Sequence, residues 1–224
     1  MAEISAKVKP GITTGSLNIE AEKLIREAGA SPAFLGYSGF PAALCVSVNE
    51  VIVHGVPGKY VLKESDIVGL DLGIKFKGLI TDMAVTLPAG KISGEAKKLI
   101  SAAKGALDSA IDEVKPGNHV GDIGFAVQKY VELRGFNVIR ELIGHGVGHK
   151  VHEEPEIFNF GRRGEGPELK AGMVLAIEPM VSAGDWRIRQ LKNGSFATRD
   201  GSLAAHFEHT VVVAENGAEI LTAY

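Results

Sequence analysis

The stretch Gly144–Pro155, GHGVGHKVHEEP, combines glycines with histidines and ends in two glutamates. Glycines at every second position disfavour a helix. They suit a backbone that another chain segment or a ligand approaches closely. Taken alone, the stretch is equally consistent with a glycine-rich connection whose histidines are solvated. The acidic residues elsewhere in the chain favour a functional site.

Four carboxylates lie inside or at the end of apolar stretches: Asp71, Asp82, Glu178 and Glu208. Buried carboxylates are rare unless they are paired, and two like charges ~4 Å apart repel by about 4 kcal/mol at an effective dielectric near 20. Lys75, beside a turn, is the only Lys or Arg inside these stretches. A pair of divalent cations would balance the charges, with His145 as an imidazole ligand. Oxygen-rich ligation with one histidine favours Mn, Fe or Co over a structural zinc site.

The elements that would position these residues are strands. Lys77-Gly78 is a hairpin signal between two of them, and a stretch ending at Ile143 leads into a loop that carries His145. Two segments rich in Gly, Arg and Asn, Glu153–Leu169 and Ala183–Asp200, are predicted to be loops or an outer ribbon. The predicted strands are Ala43–Val53, Ile67–Phe76, Leu79–Leu87, Met173–Ile177 and Phe207–Val213.

The chain also contains a diverged internal repeat. Val8–Gly29 resembles Val114–Gly135 at a constant offset of 106 residues. Each copy predicts a Pro-Gly turn followed by an amphipathic helix. Two unrelated helices sharing a common turn are the alternative, but identities in register favour duplication. We therefore expect two pseudo-symmetric halves, about 1–90 and 91–224, with a site between them.

The two halves differ at their start. Ser93–Val114 precedes the second copy and predicts a further helix with Ser93 as its N-cap. Only seven residues precede the first copy. The first half is therefore expected to lack the opening helix.

Composition limits the class of protein. The chain has 224 residues, 45% of them hydrophobic, which fits one sizeable domain or two small ones. A net charge of −3 without a basic stripe argues against a nucleic-acid partner. The single cysteine, Cys45, excludes an intrachain disulfide framework and fits a reducing compartment. No apolar run approaches the ~18 residues that span a bilayer, so we expect a cytoplasmic protein without a membrane partner.

At these residues the chain resembles the type I methionine aminopeptidases, within the pita-bread metallopeptidase family. The resemblance extends from about Val8 to Leu221. It implies an α+β pita-bread (creatinase/aminopeptidase) fold, with two pseudo-symmetric αβ halves around a curved antiparallel sheet, helices outside and metals inside. It rests on NEVIVHGVP around His54, LDLG around Asp71, TDMAVT around Asp82, GHGVGHKVHEEP, AIEPMV around Glu178 and FEHTVVV around Glu208.

The resemblance implies a site with two divalent ions: Co, Mn, Fe or Zn. Asp71 would hold one ion, and His145 with Glu178 would hold the other. Asp82 and Glu208 would bridge both.

The same resemblance implies peptide hydrolysis by a hydroxide shared between the ions. Glu178 would act as general base, His152 would stabilise the oxyanion, and His54 would contact the scissile amide.

An apolar pocket should receive the first residue of the substrate. By resemblance, its wall includes Tyr37, Phe40 and Cys45, with Val151 beside His152. Plain core packing is the alternative for the first three. The family often carries larger aromatic residues where Phe40 and Val151 stand, which leaves the breadth of the pocket open.

Two histidines flank the last carboxylate. His206 and His209 could orient Glu208, or they could serve packing alone.

The implied function is removal of the initiator methionine from proteins and peptides with a small second residue. A second candidate is another pita-bread peptidase, X-Pro aminopeptidase or prolidase-like, which usually carries a large N-terminal domain. A third is a non-catalytic binding module of the same fold, although such relatives lose metal ligands and none is lost here. The expected partners are nascent polypeptide N-termini, with ribosome association as a possibility and a monomer as the expected state.

Overall fold

The computed structural model describes residues 1–223 of the chain. Its helices are α1 (Ala2–Ser5), α2 (Thr14–Glu27), α3 (Gly94–Ile111) and α4 (Val120–Glu132), and a short 3-10 turn covers Tyr37–Gly39. Its strands are β1 (Ser31–Pro32), β2 (Cys45–Val48), β3 (Val51–Val53), β4 (Asp66–Phe76), β5 (Leu79–Ala89), β6 (Asn137–Val138), β7 (Ile143–Gly146), β8 (Glu153–Phe158), β9 (Val174–Ile177), β10 (Met180–Ser182), β11 (Ile188–Gln190), β12 (Phe196–Thr198), β13 (Ala204–His206), β14 (Glu208–Ala214) and β15 (Gly217–Ile220).

Nine strands form one antiparallel sheet, and seven of them follow one another in the order β1-β4-β5-β14-β9-β7-β8. Strand β2 pairs with β4, and β15 pairs with β14. Two three-stranded sheets, β13-β10-β6 and β11-β12-β3, complete the β-structure of the described chain. Helices α2, α3 and α4 contribute to the same hydrophobic core as the large sheet.

Strand alternation gives the large sheet two different faces. Along β4, Val68, Leu70 and Leu72 belong to the main core with the helices. We call this the outer face. The alternate positions, Gly69, Asp71 and Gly73, face the opposite side, because successive residues of a strand alternate across a sheet. We call this the inner face. Burial of each large aliphatic side chain on the outer face contributes about 1.5–3 kcal/mol, so the register that leaves the acidic residues inward is strongly fixed.

The two copies of the repeat begin with the same backbone pairing. In the first, the amide of Thr14 donates to the carbonyl of Tyr60, and the amide of Gly15 donates to Gly58. In the second, 106 positions later, Val120 and Gly121 donate to Pro167 and Glu165. The bridge Thr13–Val61 has its counterpart in His119–Glu168. This matched pairing supports the prediction of related halves, while their division near residue 90 stays a prediction.

The predicted helices occur where the repeat places them. Thr13 Oγ1 accepts from the amide of Ser16 at 3.1 Å, and α2 begins at the next residue, Thr14. Ser93 caps α3 as predicted, accepting from the amide of Ala96 at 3.0 Å. Before α2 the chain forms the four-residue helix α1, whereas before α4 it forms the 18-residue α3.

Three predictions of local structure were wrong. Ala43–Val53 forms two short strands, because Asn49 adopts a left-handed φ of 56° and turns the chain. His145 lies within strand β7 and not in a loop. Part of Glu153–Leu169 forms β8, a member of the large sheet. The second segment, Ala183–Asp200, contains the predicted ribbon, β11–β12, which pairs with β3.

None of the helices within residues 1–223 is both long and apolar enough to cross a lipid bilayer.

Candidate metal centre

The register of the large sheet gathers the predicted metal ligands on its inner face. Asp71 on β4 lies opposite Ala84 on β5, two residues beyond Asp82, and Glu208 on β14 pairs with the same Ala84. Residues two apart on a strand share a face, so these three carboxylates point to the same side. His145 pairs with Ala176 on β9, two residues before Glu178. By the same rule His145 and Glu178 face the inner side as well. The register of the sheet therefore brings all five predicted ligands to its inner face.

The glycines beside His145 make this arrangement possible. A Cβ atom at Gly144 would lie 2.5 Å from the carbonyl oxygen of Ala176 on the neighbouring strand. A Cβ atom at Gly146 would overlap the carbonyl of Glu154 on the other side. The close approach expected for this stretch is thus confirmed. It serves strand pairing, with β7 held between β8 and β9 and His145 directed inward.

The hydrogen bond of His145 fixes which ring nitrogen is free. Its Nδ1 lies 2.8 Å from the carbonyl oxygen of Gly146. Because a carbonyl only accepts, Nδ1 carries the proton, and in the neutral ring Nε2 presents a lone pair. That Nε2 lies 3.5 Å from Oε1 of Glu178, also an acceptor. Two acceptors at this distance repel each other unless a proton or a cation lies between them.

The carboxylates show the same need for positive charge. Buried oxygens of Asp71 and Asp82 (Oδ1 in each) have no hydrogen-bond partner among the described residues. Ligand atoms of Asp82, His145 and Glu208 lie within 4.8 Å of one another, close enough to hold one ion. The donor set of carboxylate oxygens and one imidazole suits Mn, Fe or Co, so the residues present fit the implied metals.

Burial raises the pKa values of all four carboxyl groups, and the negative charge of neighbouring carboxylates adds to this at Asp71, Asp82 and Glu208. Burial, followed by the negative charge of Glu178, raises the pKa of Asp82 to about 7. Burial raises the pKa of Glu178 to about 7 as well. The pKa values of Asp71 and Glu208 are raised by burial and by the neighbouring carboxylates. Bound divalent cations would reverse these shifts by favouring the ionised form.

The cluster lies at a cavity of about 420 Å³. The predicted pocket residues Tyr37, Phe40, Cys45 and Val151 all line it, together with His54 and His152. The cavity lining contains no Lys or Arg within residues 1–223. Burial, followed by Asp71, raises the pKa of the Cys45 thiol well above its usual value, so Cys45 is a neutral part of the wall.

Two aromatic residues of the wall were not found from the sequence: Phe34 and Phe196. The ring of Phe34 occupies the space beside Gly73, where a Cβ would come within 2.5 Å of it. Phe196 lies on the ribbon and packs against His54 with ring centroids 5.8 Å apart. Gly73 could have indicated such a residue, because a glycine on the inner face leaves space that another side chain must fill. No local pattern distinguishes Phe196.

The two predicted catalytic histidines stand at the same cavity. His152 lies edge-on to His145, with ring centroids 4.3 Å apart, and its Nδ1 is 2.8 Å from the hydroxyl of Tyr37. His54 adopts a left-handed φ of 57°, and its carbonyl accepts a 2.9 Å hydrogen bond from the Ser195 hydroxyl. Burial lowers the pKa of both imidazoles, which favours their neutral forms.

Comparison with known proteins assigns the fold and the family. Residues 1–215 match the sequence profile of Metallopeptidase family M24. The chain is 50% identical over 220 residues to a methionine aminopeptidase of Clostridium perfringens, covering 98% of this chain and 88% of that protein. It is 48% identical over 221 residues to methionine aminopeptidase 1 of Bacillus subtilis, covering 98% and 89%.

Solved structures of related proteins share the same fold. The crystal structure of a methionine aminopeptidase from Thermotoga maritima superposes with a TM-score of 0.98 at 46% identity, covering 100% of this chain and 90% of that one. A prolidase from Pyrococcus furiosus gives a TM-score of 0.80 at 23% identity, and covers 99% of this chain but 58% of its own. The predicted α+β pita-bread fold, with a curled antiparallel sheet, is confirmed.

The raised carboxyl pKa values predict that the metal-free protein loses stability as pH rises from about 4.5 to about 7. The folded state holds protons that the unfolded state has released in this range, so the free energy of unfolding falls, by on the order of 3 kcal/mol for Glu178. Urea unfolding of chelator-treated protein from pH 5 to pH 8 measures this. Adding Mn²⁺ at the upper end should restore stability.

The Glu178→Gln variant is the control for that experiment. It lacks one of the shifted carboxyl groups, so its metal-free stability should fall less steeply over the same pH range. Equal slopes for both proteins would contradict the assignment of Glu178 to the repelling cluster.

Proposed function

The chain belongs to metallopeptidase family M24, and we infer that it is a methionine aminopeptidase, a metal-dependent hydrolase that removes the N-terminal methionine of proteins and peptides. One observation carries the inference. A largely buried cluster of carboxylates and one histidine, whose donor atoms fit divalent cations, borders a cavity that also has an apolar wall and two further histidines. The similarity to prolidase is below 25% identity and supports the fold alone.

We propose that all five inner-face residues are metal ligands: Asp71, Asp82, His145, Glu178 and Glu208. When bound, divalent ions supply the charge that acidifies water and polarises a peptide carbonyl. The chain itself holds these ligands on the inner face of neighbouring strands. Glu178 serves as the general base that receives the proton of the attacking water.

His152 is proposed to stabilise the oxyanion, and Tyr37 defines its tautomer. A neutral imidazole carries one N–H. For Nε2 to donate to an oxyanion, Nδ1 must be unprotonated and must accept from the Tyr37 hydroxyl at 2.8 Å. Tyr37 is therefore both a pocket wall and the residue that orients His152. His54, which lies on the cavity wall near Phe196, is proposed to contact the scissile amide.

The apolar part of the cavity suits the side chain of methionine. Phe34, Phe40, Cys45 and Val151 belong to one hydrophobic cluster that borders the carboxylates. A thioether packs well against aromatic ring edges. An ion held by Asp71 would bind the free amine of the substrate, which would limit cleavage to the first peptide bond.

We further propose that the substrates are N-termini of nascent polypeptides, processed in the cytoplasm by a monomer. The matching relatives are bacterial methionine aminopeptidases, and the single buried cysteine fits a reducing compartment. Association with the ribosome, which would bring the enzyme to these N-termini, stays a prediction.

The hydrogen bond between Tyr37 and His152 generates a test. Tyr37→Phe should keep the pocket wall, lower kcat by roughly tenfold (~1.4 kcal/mol) and leave KM nearly unchanged, because only the transition state uses the oriented imidazole. His152→Ala should lower kcat by about 10²–10³, with its metal content unchanged. Steady-state kinetics and metal analysis measure both.

Tyr60→Phe is the matched control, since the Tyr60 hydroxyl donates to Asp66 and does not line the cavity. It should leave kcat at the wild-type value. A Tyr37→Phe variant with raised KM and unaltered kcat would reduce Tyr37 to a wall residue. Loss of metal in His152→Ala would make His152 a ligand.

Substrate choice provides the second test. Peptides beginning with Met followed by Ala, Gly or Ser should be cleaved, and those with Leu, Lys or Phe second should be poor, because the second residue lies near His54 against the sheet. Since Val151 is small, a Leu-Ala peptide should show weak turnover. The measurement is kcat/KM across both series with Mn²⁺ or Co²⁺. Comparable rates for small and bulky second residues would contradict this geometry, and a preference for Pro second without need for Met would favour an X-Pro aminopeptidase.

A further inference from the structure

His206 has a buried ring nitrogen without a hydrogen-bond partner. The residue is 3% exposed, and its Nε2 makes no hydrogen bond with any described residue. That atom lies 3.4 Å from Oε2 of Glu178 and 4.0 Å from Oε2 of Glu208. An unpaired buried polar atom costs about 1–3 kcal/mol, so its position beside two proposed metal ligands calls for a function.

The backbone fixes the place of this imidazole. His206 ends β13 and Glu208 begins β14, and residues two apart point to the same side. Thr86, on the strand that carries Asp82, holds the backbone of His206 from both sides. Its hydroxyl donates to the His206 carbonyl at 2.8 Å and accepts from the His206 amide at 2.9 Å. On the neighbouring strand His206 pairs with Met180, two residues beyond Glu178. The fold thus delivers the ring to the metal cluster.

The two oxygens of Glu178 face two different imidazoles. Oε1 lies 3.5 Å from Nε2 of His145, the ring nitrogen proposed to hold an ion. Oε2 lies 3.4 Å from Nε2 of His206. If Nε2 of His206 carries the ring proton, a small rotation of either side chain completes a hydrogen bond from this donor to Oε2. Oε1 would then be the oxygen left to hold an ion.

We propose that His206 is a positioning residue for the metal centre: its Nε2–H donates to Glu178, with Glu208 within reach, and fixes the orientation in which these carboxylates bind metal. The inference rests on the proposed function, because it assigns a role toward the metals held by these ligands. A donor on the far oxygen limits rotation of the carboxylate before metal arrives, so less conformational freedom is lost on binding. Donors of this kind typically contribute 10–100-fold to metal affinity.

The test compares His206→Gln with His206→Met. The two new side chains have similar length and volume, but only Gln offers an N–H donor. Calorimetric titration of the metal-free proteins with Mn²⁺ or Co²⁺ should show the Met variant binding 10–100-fold more weakly. The Gln variant should lie within about threefold of wild type, and the absorption spectrum of its Co²⁺ form should match that of wild type.

His209→Met is the matched control. His209 is on the same strand as Glu208 but faces the other side, where its Nδ1 lies 2.9 Å from the Thr222 hydroxyl. This variant shows whether replacing any histidine near Glu208 by Met changes metal affinity. Its affinity should equal that of the wild type. If His206→Met proves too unstable to purify, His206→Leu takes its place as the variant without a donor.

Three outcomes would overturn or redirect the inference. Wild-type affinity in the Met or Leu variant would make His206 a packing residue. Weak binding by both Gln and Met would mean that the imidazole is needed as such, and the donor role would be wrong. Absence of divalent-ion binding by the wild type itself would overturn the proposed function, a failure that the titration distinguishes from the other two.

Discussion

Repulsion among four carboxyl groups, three of them buried and the fourth only 11% exposed, is the constraint on which the rest of this structure depends. Asp71, Asp82, Glu178 and Glu208 lie on one face of one sheet, and no Lys or Arg of the described chain lines their cavity. Without cations, the folded chain accommodates them by raised pKa values. Bound divalent ions would relieve the same repulsion and would supply the positive charge that the reaction uses. Metal binding and stability are therefore two consequences of one arrangement.

Hydrophobic packing of the large sheet against the helices stabilises this arrangement. Hydrophobic side chains on the outer face, packed with α2, α3 and α4, fix the register, and alternation then directs every second residue inward. Glycines at the crowded strand β7 allow three backbones to approach. Thr210 adds a direct link, because its hydroxyl and the backbone of Asp82 exchange two hydrogen bonds of 2.7 Å.

The sequence predicted the acidic residues and the helices well, for physical reasons. Asp71 and Asp82 stand out because each interrupts an apolar strand, and the helix pattern of the repeat is local. The sequence was less informative about local structure that depends on which strands pair. His145 was expected in a loop, since a glycine-rich stretch resembles a turn until its neighbouring strands are known. The space beside Gly73 and the direction of His206 likewise depend on contacts between distant segments, which a linear pattern does not contain.

The inner-face cluster is proposed to bind two divalent ions through Asp71, Asp82, His145, Glu178 and Glu208. Anomalous diffraction from crystals grown with Mn²⁺ or Co²⁺ is the test. Two anomalous peaks are expected among these side chains, with Asp82 and Glu208 contacting both, His145 and Glu178 contacting one, and Asp71 the other. One peak only, or peaks away from the cluster, would contradict it.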